Sequence, residues 1–338
     1  MDEGALTAMR LRGAILGCGM ISEFHLLGWK RIPEAAIVAL CDHTVARAEH
    51  RNLRHALGAR VYADLETMLA RERLDFIDIL TPPEFHREHC LMAKQAGLHI
   101  ICQKPLCTTL EDSRVLASEM DGYQKIFAVH ENHRYRPWFQ AVRQRFTGGF
   151  FGNASLLHLQ HLSAAEPAEA YKNEAEKGIL LEYGTHLVDM MRSILGEPSR
   201  VYARLHRLNP RVRGESLAHI VYEYRQTTAV VEVAWKTGVF HQASMLLTGD
   251  AGEAWFEGSL TRGDSGRLRI SRGGEVVVDE QRNPYDEYVE SFYLLEREHV
   301  DAMLGLARVV QTAQEHLRTL ACTFAAYESA ARRQVIDV

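Results

Sequence analysis

Between Arg12 and Glu131 short apolar runs alternate with amphipathic stretches, and this alternation limits the folds open to the chain more than any other feature. The runs cover residues 13–16, 36–41, 60–62, 76–80, 99–102 and 126–129. Several are apolar at consecutive positions, as strands buried on both faces of a parallel sheet must be. Residues 45–57, 84–96 and 110–120 between them read as helices. Parallel strands need crossover connections, so the pattern predicts a doubly wound α/β domain over residues 1–131.

After Glu131 strand-like segments follow one another directly, at 154–162, 200–208, 218–224, 229–235, 244–247, 254–256, 268–271 and 276–278. Turn signals such as Gly249-Asp250, Gly263-Asp264 and Gly273-Gly274 separate several of them. Helices are expected at 183–195, 285–304 and 308–331. The second domain, 132–338, is therefore read as α+β, with a large, mostly antiparallel open sheet and helices on one face. The other face needs cover, which points to a homodimer or homotetramer formed through the C-terminal sheet.

Composition enters by exclusion. A chain of 338 residues holds about two domains. Its 39 Lys+Arg against 44 Asp+Glu give a net charge of -5, the wrong sign for nucleic acid or anionic lipid partners. No apolar stretch approaches the roughly 20 residues of a membrane span. The first seven residues carry Asp2 and Glu3 and lack the basic start of a signal peptide. Six cysteines without a CxxC pair read as small buried hydrophobes in a reducing compartment. The expected location is cytoplasmic.

The first apolar run enters Gly17-Cys18-Gly19-Met20-Ile21-Ser22, a GxGxx[G/A/S] loop at the start of a helix. Gly17 allows the tight turn, Gly19 lets backbone N–H groups approach a pyrophosphate, and Ser22 is small enough for close helix–strand packing. The next strand ends in Cys41-Asp42, where an acidic side chain hydrogen-bonds the adenosine ribose. An N-cap for the following helix is the other reading of Asp42. Asp42 would repel a 2′-phosphate and His43 is no guanidinium, so NAD is expected over NADP, with Arg47 tempering the preference. Thr81-Pro82 with His86, Gln103-Lys104-Pro105 and Glu131-Asn132-His133-Arg134-Tyr135 follow at later strand ends, on the edge that carries the glycine loop.

These ordered motifs resemble the glucose–fructose oxidoreductase/inositol dehydrogenase/rhizopine-catabolism (Gfo/Idh/MocA) family. The matches are the 17–22 loop with His25 after it, Thr81-Pro82 with His86, Lys104-Pro105, and Glu131-Asn132 with Arg134-Tyr135. The run from Gly178 through Glu182, Gly184 and His186 to Asp189 also matches, as do Leu195-Gly196-Glu197-Pro198 and the closing Ala326-Tyr327-Glu328-Ser329-Ala330. Nearly the whole chain is covered. The resemblance implies a Rossmann domain before an open-sheet domain. It also implies NAD(P)-dependent hydride transfer at a secondary alcohol of a sugar, sugar acid or cyclitol. By position His186 resembles the acid–base histidine, Glu182 its carboxylate partner, and Lys104 the lysine near the reacting oxygen. Two alternatives on the same scaffold are a non-catalytic NAD-binding regulator and a redox-neutral enzyme with tightly bound NAD.

The chemistry asks for such groups independently. Oxidising an alcohol needs a base for the hydroxyl proton and a surface that holds the reacting carbon against the nicotinamide. Glu182 and His186 lie four apart on a predicted helix, either as a proton-sharing pair or as a surface i,i+4 pair. A partly desolvated Lys104 beside a cationic ring would have a lowered pKa. The cofactor set is then Gly17, Gly19, Met20, Ile21, Asp42, Thr81, Pro82, His86 and Gln103. Arg134, Tyr135, Tyr171 and Lys172 are candidates for the substrate wall, the last two in the polar stretch 166–177. Tyr285 and Tyr288 are candidates for the nicotinamide pocket or for core.

Two departures stand out. Gln103 replaces the family's usual Glu, and Glu182 its usual Asp. Of the 17 histidines, His130, His133, His158, His161 and His186 suggest a metal, but no HExxH or CxxC signature supports one, so none is expected. His158 and His161, three apart in a strand, would face opposite sides.

Overall fold

The computed structural model describes residues 10–164, 170–235, 242–258 and 266–338. The N-terminal leader reading at residues 1–7, residues 166–169 of the polar stretch and the Gly263-Asp264 turn lie outside the described residues.

The chain divides into two compact units. The first holds six parallel strands, β1 (Leu11–Leu16), β2 (Ala35–Cys41), β3 (Arg60–Tyr62), β4 (Phe76–Ile79), β5 (His99–Gln103) and β6 (Phe127–His130). Their order is β3-β2-β1-β4-β5-β6. All four residues of β4 are buried, Asp78 among them, as expected of a strand covered on both faces. Strand order reverses between β1 and β4, and the crevice beyond their carboxyl ends is where sheets of this kind bind ligands. The glycine loop leaves β1 at that point, into α1 (Ser22–Trp29). Residues 292–315 group with this unit. A linear division at 131/132 places them in the second domain, because it cannot see the chain return.

The second unit holds a nine-stranded sheet in the order β14-β13-β12-β11-β7-β10-β9-β8-β15. In chain order these are β7 (Ala154–Ser163), β8 (Arg200–His206), β9 (Leu217–Glu223), β10 (Thr228–Trp235), β11 (Gln242–Gly249), β12 (Gly252–Gly258), β13 (Gly266–Arg272), β14 (Glu275–Arg282) and β15 (Ile336–Asp337). Only β7 and β10 pair in parallel, so the sheet is mostly antiparallel, as read from sequence. Leu157, Leu159, Val231, Val233, Met245 and Phe256 point inward and form one core with Trp138 and Val142 of α6 (Pro137–Thr147) and Val188 and Met191 of α8 (Thr185–Leu195). Alternate residues face outward. There Leu156, Val230, Leu246 and Trp255 are half-buried. On the same face Glu232 accepts hydrogen bonds from His158 (2.8 Å), Gln160 (3.0 Å) and His219 (2.8 Å), which hold its carboxyl down at about 2. His161 is on the buried face, opposite His158. All six cysteines are free and buried. Among the described residues no helix is long and apolar enough to cross a membrane.

Candidate active site

Backbone requirements shape the glycine loop. Gly17 has φ +97°, and a Cβ there would lie 2.8 Å from the Leu80 carbonyl carbon, so conformation and close approach to the end of β4 both demand glycine. A Cβ on Gly19 would meet nothing within 4 Å. Protein packing therefore does not demand glycine at position 19, and the backbone there is open to close approach by a ligand. Asp42 accepts from the amides of Cys18 (2.7 Å) and Thr44 (2.8 Å), so its carboxylate braces the loop and closes a turn ahead of α2 (Val45–His55). The N-cap of α2 is Thr44, so Asp42 does not cap the helix as one reading of the sequence expects. Burial, with the Asp42 charge next in size, pushes the Cys18 thiol up to about 12 and keeps it inert.

Arg51 on α2 was not anticipated from sequence. Its guanidinium donates to the Gly19 carbonyl (2.9 Å) and to Ser22 Oγ (3.0 Å), and it pairs with Glu23. Ser22 in turn donates to the Gly19 carbonyl at 2.7 Å, so the third loop position has a polar task beyond small size. Met20 stands 50% exposed beside it.

At the later strand ends Thr81 Oγ1 lies 3.0 Å from His89 Nδ1. His86 has no exposed surface. Its Nε2 lies 2.7 Å from the Thr81 carbonyl and its Nδ1 3.0 and 3.1 Å from the carbonyls of Pro105 and Leu106. Burial outweighs those carbonyls and lowers its pKa to about 4. His86 thus joins the two strand-end loops from within, which corrects its expected role as a cofactor contact. Pro82 opens the 3-10 turn Pro83–Phe85 that leads to it. The Lys104–Pro105 peptide is cis, and Lys104 is buried.

Gln103 is also engaged by protein. Its Oε1 accepts the Lys104 amide (2.8 Å) and its Nε2 lies 3.0 Å from His25 Nε2, while His25 Nδ1 lies 2.8 Å from Asp78. An amide can donate to a neutral His25 that itself donates to Asp78. A glutamate could do so only if protonated. The departure from the family's usual Glu therefore matches the tautomer of the histidine behind it.

In the second unit the carboxylate on the His186 imidazole is Glu131, whose Oε1 is paired with Nδ1. Glu131 is completely buried and His186 is 7% exposed. His133 packs edge-on against His186 with ring centroids 3.7 Å apart, and Tyr183 lies edge-on at 5.4 Å. Tyr183 stacks on His161 at 3.7 Å, and burial raises its hydroxyl pKa. Arg136 is buried with its guanidinium 4.7 Å from the centre of the Tyr288 ring, and burial lowers its pKa against the pull of nearby tyrosines and acids. Burial also pushes Tyr288 up to about 12. Tyr285 is exposed.

Glu182 pairs with Lys172 Nζ at 2.7 Å. The expectation of a Glu182–His186 pair assumes uniform α-helical spacing. Residues Leu180–Gly184 instead form a π-helical turn, with wider winding that shifts side chains ahead of α8. Arg134 is a second correction. It makes a two-pronged ion pair with buried Asp189, which also accepts from Thr319 (3.2 Å), and is a strut rather than a wall residue. Tyr135 ends the same 3-10 turn, His133–Tyr135. Tyr171 is 38% exposed, 5.7 Å from Lys172 Nζ.

The fold gathers histidines that the sequence scatters. Donor atoms of His25, His130 and Glu296 lie within 4.8 Å of one another, as do those of Glu131, His133 and His186. In each group an imidazole nitrogen is already committed to a carboxylate, His25 to Asp78 and His186 to Glu131.

A six-stranded parallel sheet whose glycine turn opens at the switch point, with space where a phosphate would lie and an acid at the end of β2, defines a dinucleotide-binding protein of the Rossmann class. The family described as "Oxidoreductase family, NAD-binding Rossmann fold" matches residues 11–131, and "GFO/IDH/MocA C-terminal domain" matches 139–255. The chain belongs to the Gfo/Idh/MocA family and is an NAD-dependent oxidoreductase. D-apiose dehydrogenase of Paraburkholderia graminis is 30% identical over 354 aligned residues, covering 98% of this chain and 91% of that protein. Inositol 2-dehydrogenase 2 of Saccharopolyspora erythraea is 27% identical over 56% of this chain and 55% of its own. An oxidoreductase from Agrobacterium radiobacter, solved in complex with NAD+, L-tartaric acid and magnesium, matches with TM-score 0.87 and 27% identity over 97% of this chain and 98% of that one.

Proposed function

We propose that the enzyme oxidises a secondary hydroxyl of a sugar, sugar acid or cyclitol, with D-apiose the first substrate to test. A buried imidazole paired with a carboxylate carries this reading, because it is the acid–base group that alcohol oxidation needs. The end-to-end similarity to D-apiose dehydrogenase supports the substrate class.

Bound NAD supplies the hydride acceptor. Gly17, Gly19, Met20 and Ile21 frame the pyrophosphate, Asp42 meets the adenosine ribose, and Thr81 and Pro82 border the crevice. His86 and Gln103 hold the strand-end loops from behind. His186 takes the hydroxyl proton, and the Lys104 ammonium stabilises the oxygen as negative charge develops on it. Glu182 with Lys172, together with Tyr135 and Tyr171, binds the other hydroxyls. A second copy of the chain covers the outward sheet face at Leu156, Val230, Leu246 and Trp255, making a homodimer or homotetramer in the cytoplasm. Light scattering on the purified protein tests that assembly.

The catalytic reading is tested by incubating the enzyme with NAD or NADP and a panel of D-apiose, other sugars, sugar acids and inositols, following NADH absorbance. Expected is NADH formation with NAD and at least one polyol. Product without net NADH would reassign the chain to redox-neutral chemistry, and no product across the panel would favour a regulator.

A further inference from the structure

We propose that Glu131 is the positioning residue for His186, keeping Nδ1 protonated against its carboxylate so that Nε2 is the atom that exchanges the substrate proton. The role rests on His186 being the acid–base group. In the oxidation the substrate O–H bond breaks as an Nε2–H bond forms. The carbon's hydride leaves for the nicotinamide, the C–O bond becomes a carbonyl, and the imidazolium proton passes to solvent.

Three observations carry the assignment. Glu131 Oε1 is hydrogen-bonded to His186 Nδ1 and also accepts the His133 amide at 3.3 Å, so its carboxylate is aimed from its own side of the pair. Glu131 has no exposed surface, and a carboxylate in a low-dielectric site acts on an adjacent imidazole far more strongly than one in water. The imidazole is fixed in orientation by His133 edge-on at 3.7 Å and Tyr183 edge-on at 5.4 Å, with Tyr183 itself stacked on His161. A carboxylate on one imidazole nitrogen sets the tautomer and leaves the other nitrogen to do acid–base work.

The charged and titratable groups around the pair are His133 and Tyr183 in contact, then Arg136, Asp189 and Tyr288. Each of the last three, like Tyr183, feels the Glu131 charge. Glu182 lies on the π-helical turn and pairs with Lys172, which suits a substrate-binding role.

The test uses the full-length enzyme with NAD and D-apiose, and ¹⁵N-histidine NMR, assigned by the signal lost in His186→Gln. In the wild type the Nδ1–H tautomer of His186 is expected, and the Nε2–H tautomer would overturn the proposal without any variant. Glu131→Gln keeps the shape and removes the charge. It should lower kcat about 100-fold, change KM little, and move both the acidic limb of kcat/KM and the His186 NMR midpoint down by about one pH unit. Glu131→Asp should restore part of each shift. Glu182→Gln should raise KM and leave the midpoint in place. An unmoved midpoint in Glu131→Gln, or a downward shift produced by Glu182→Gln instead, overturns the assignment. The NMR readout needs no turnover, so a wild type inactive on D-apiose would count against the substrate reading and leave this test decisive.

Discussion

The glycine loop of the first unit and the His186 cluster of the second are held by different kinds of contact. In the loop the recurrent partner of the polar side chains is backbone. Asp42 takes the amides of Cys18 and Thr44, Ser22 and Arg51 take the Gly19 carbonyl, and His86 lies against three carbonyls. Around His186 the contacts are side chain to side chain: imidazole on carboxylate, ring on ring, guanidinium over phenol. A backbone-built site suits a ligand such as a dinucleotide, whose phosphates ask for a fixed array of N–H groups. A site of mutually dependent side chains suits proton transfer, where small changes in one group retune its neighbour.

The contrast breaks most sharply at the catalytic groups. His186→Ala and Lys104→Met should each lower kcat by about 100-fold or more while NAD affinity, read by calorimetry, stays close to wild type. Weakened NAD binding at unchanged kcat would mean that these residues serve the cofactor. Next in size is Arg134→Ala. Burial raises the Asp189 pKa and Arg134 opposes it, so removing the guanidinium strands a buried carboxylate at a cost of about 3–5 kcal/mol. Urea unfolding should register that loss, with KM for the sugar little changed. A rise in KM at wild-type stability would restore Arg134 to the substrate wall.

His86 gives the first unit an acid sensitivity. Its folded pKa of about 4 lies below the ordinary 6.5, so between those values the unfolded chain binds a proton that the folded chain does not. Stability therefore falls as pH drops through that window, by about 3 kcal/mol for this one group. His86→Gln should flatten the dependence of the urea midpoint on pH, and an unchanged slope would show that His86 is not its source. The smallest effects separate the two glycines. Gly17→Ala should destabilise the fold by about 1–3 kcal/mol, because it sets a Cβ against Leu80 at positive φ. Gly19→Ala should melt like wild type and bind NAD more weakly. Equal melting losses in the two variants would remove the distinction between a turn glycine and a ligand glycine.

The same contrast explains what could be read from the residues in order. Strands and loops fixed by local pattern were legible to within a few residues, as at residues 36–41 against β2 (Ala35–Cys41) and 60–62 against β3. Residues 244–247 undershoot β11 (Gln242–Gly249) because the residues at its two ends, Gln242, Ala243, Thr248 and Gly249, are polar or small. The two-residue β15 has no pattern of its own and exists only as a partner for β8. Among site residues, the glycine loop and Asp42 announce themselves because backbone demands restrict residue type at fixed spacing. Glu131 stood in a quoted motif without a role, since its partner lies 55 positions away. Arg51 reaches the loop across about 30 positions, and its one sequence signal is the charge opposite Glu23. Glu182 pairs with Lys172 and sits on a π-helical turn, neither of which residue spacing reveals.

The central claim, that this chain uses NAD to oxidise a sugar hydroxyl, is tested most directly by quantifying NADH and oxidised product from D-apiose with NAD, alongside His186→Ala. One NADH per product molecule, with turnover lost in the variant and its NAD affinity retained, is the expected result. Product formed without NADH, or undiminished turnover in His186→Ala, would contradict it.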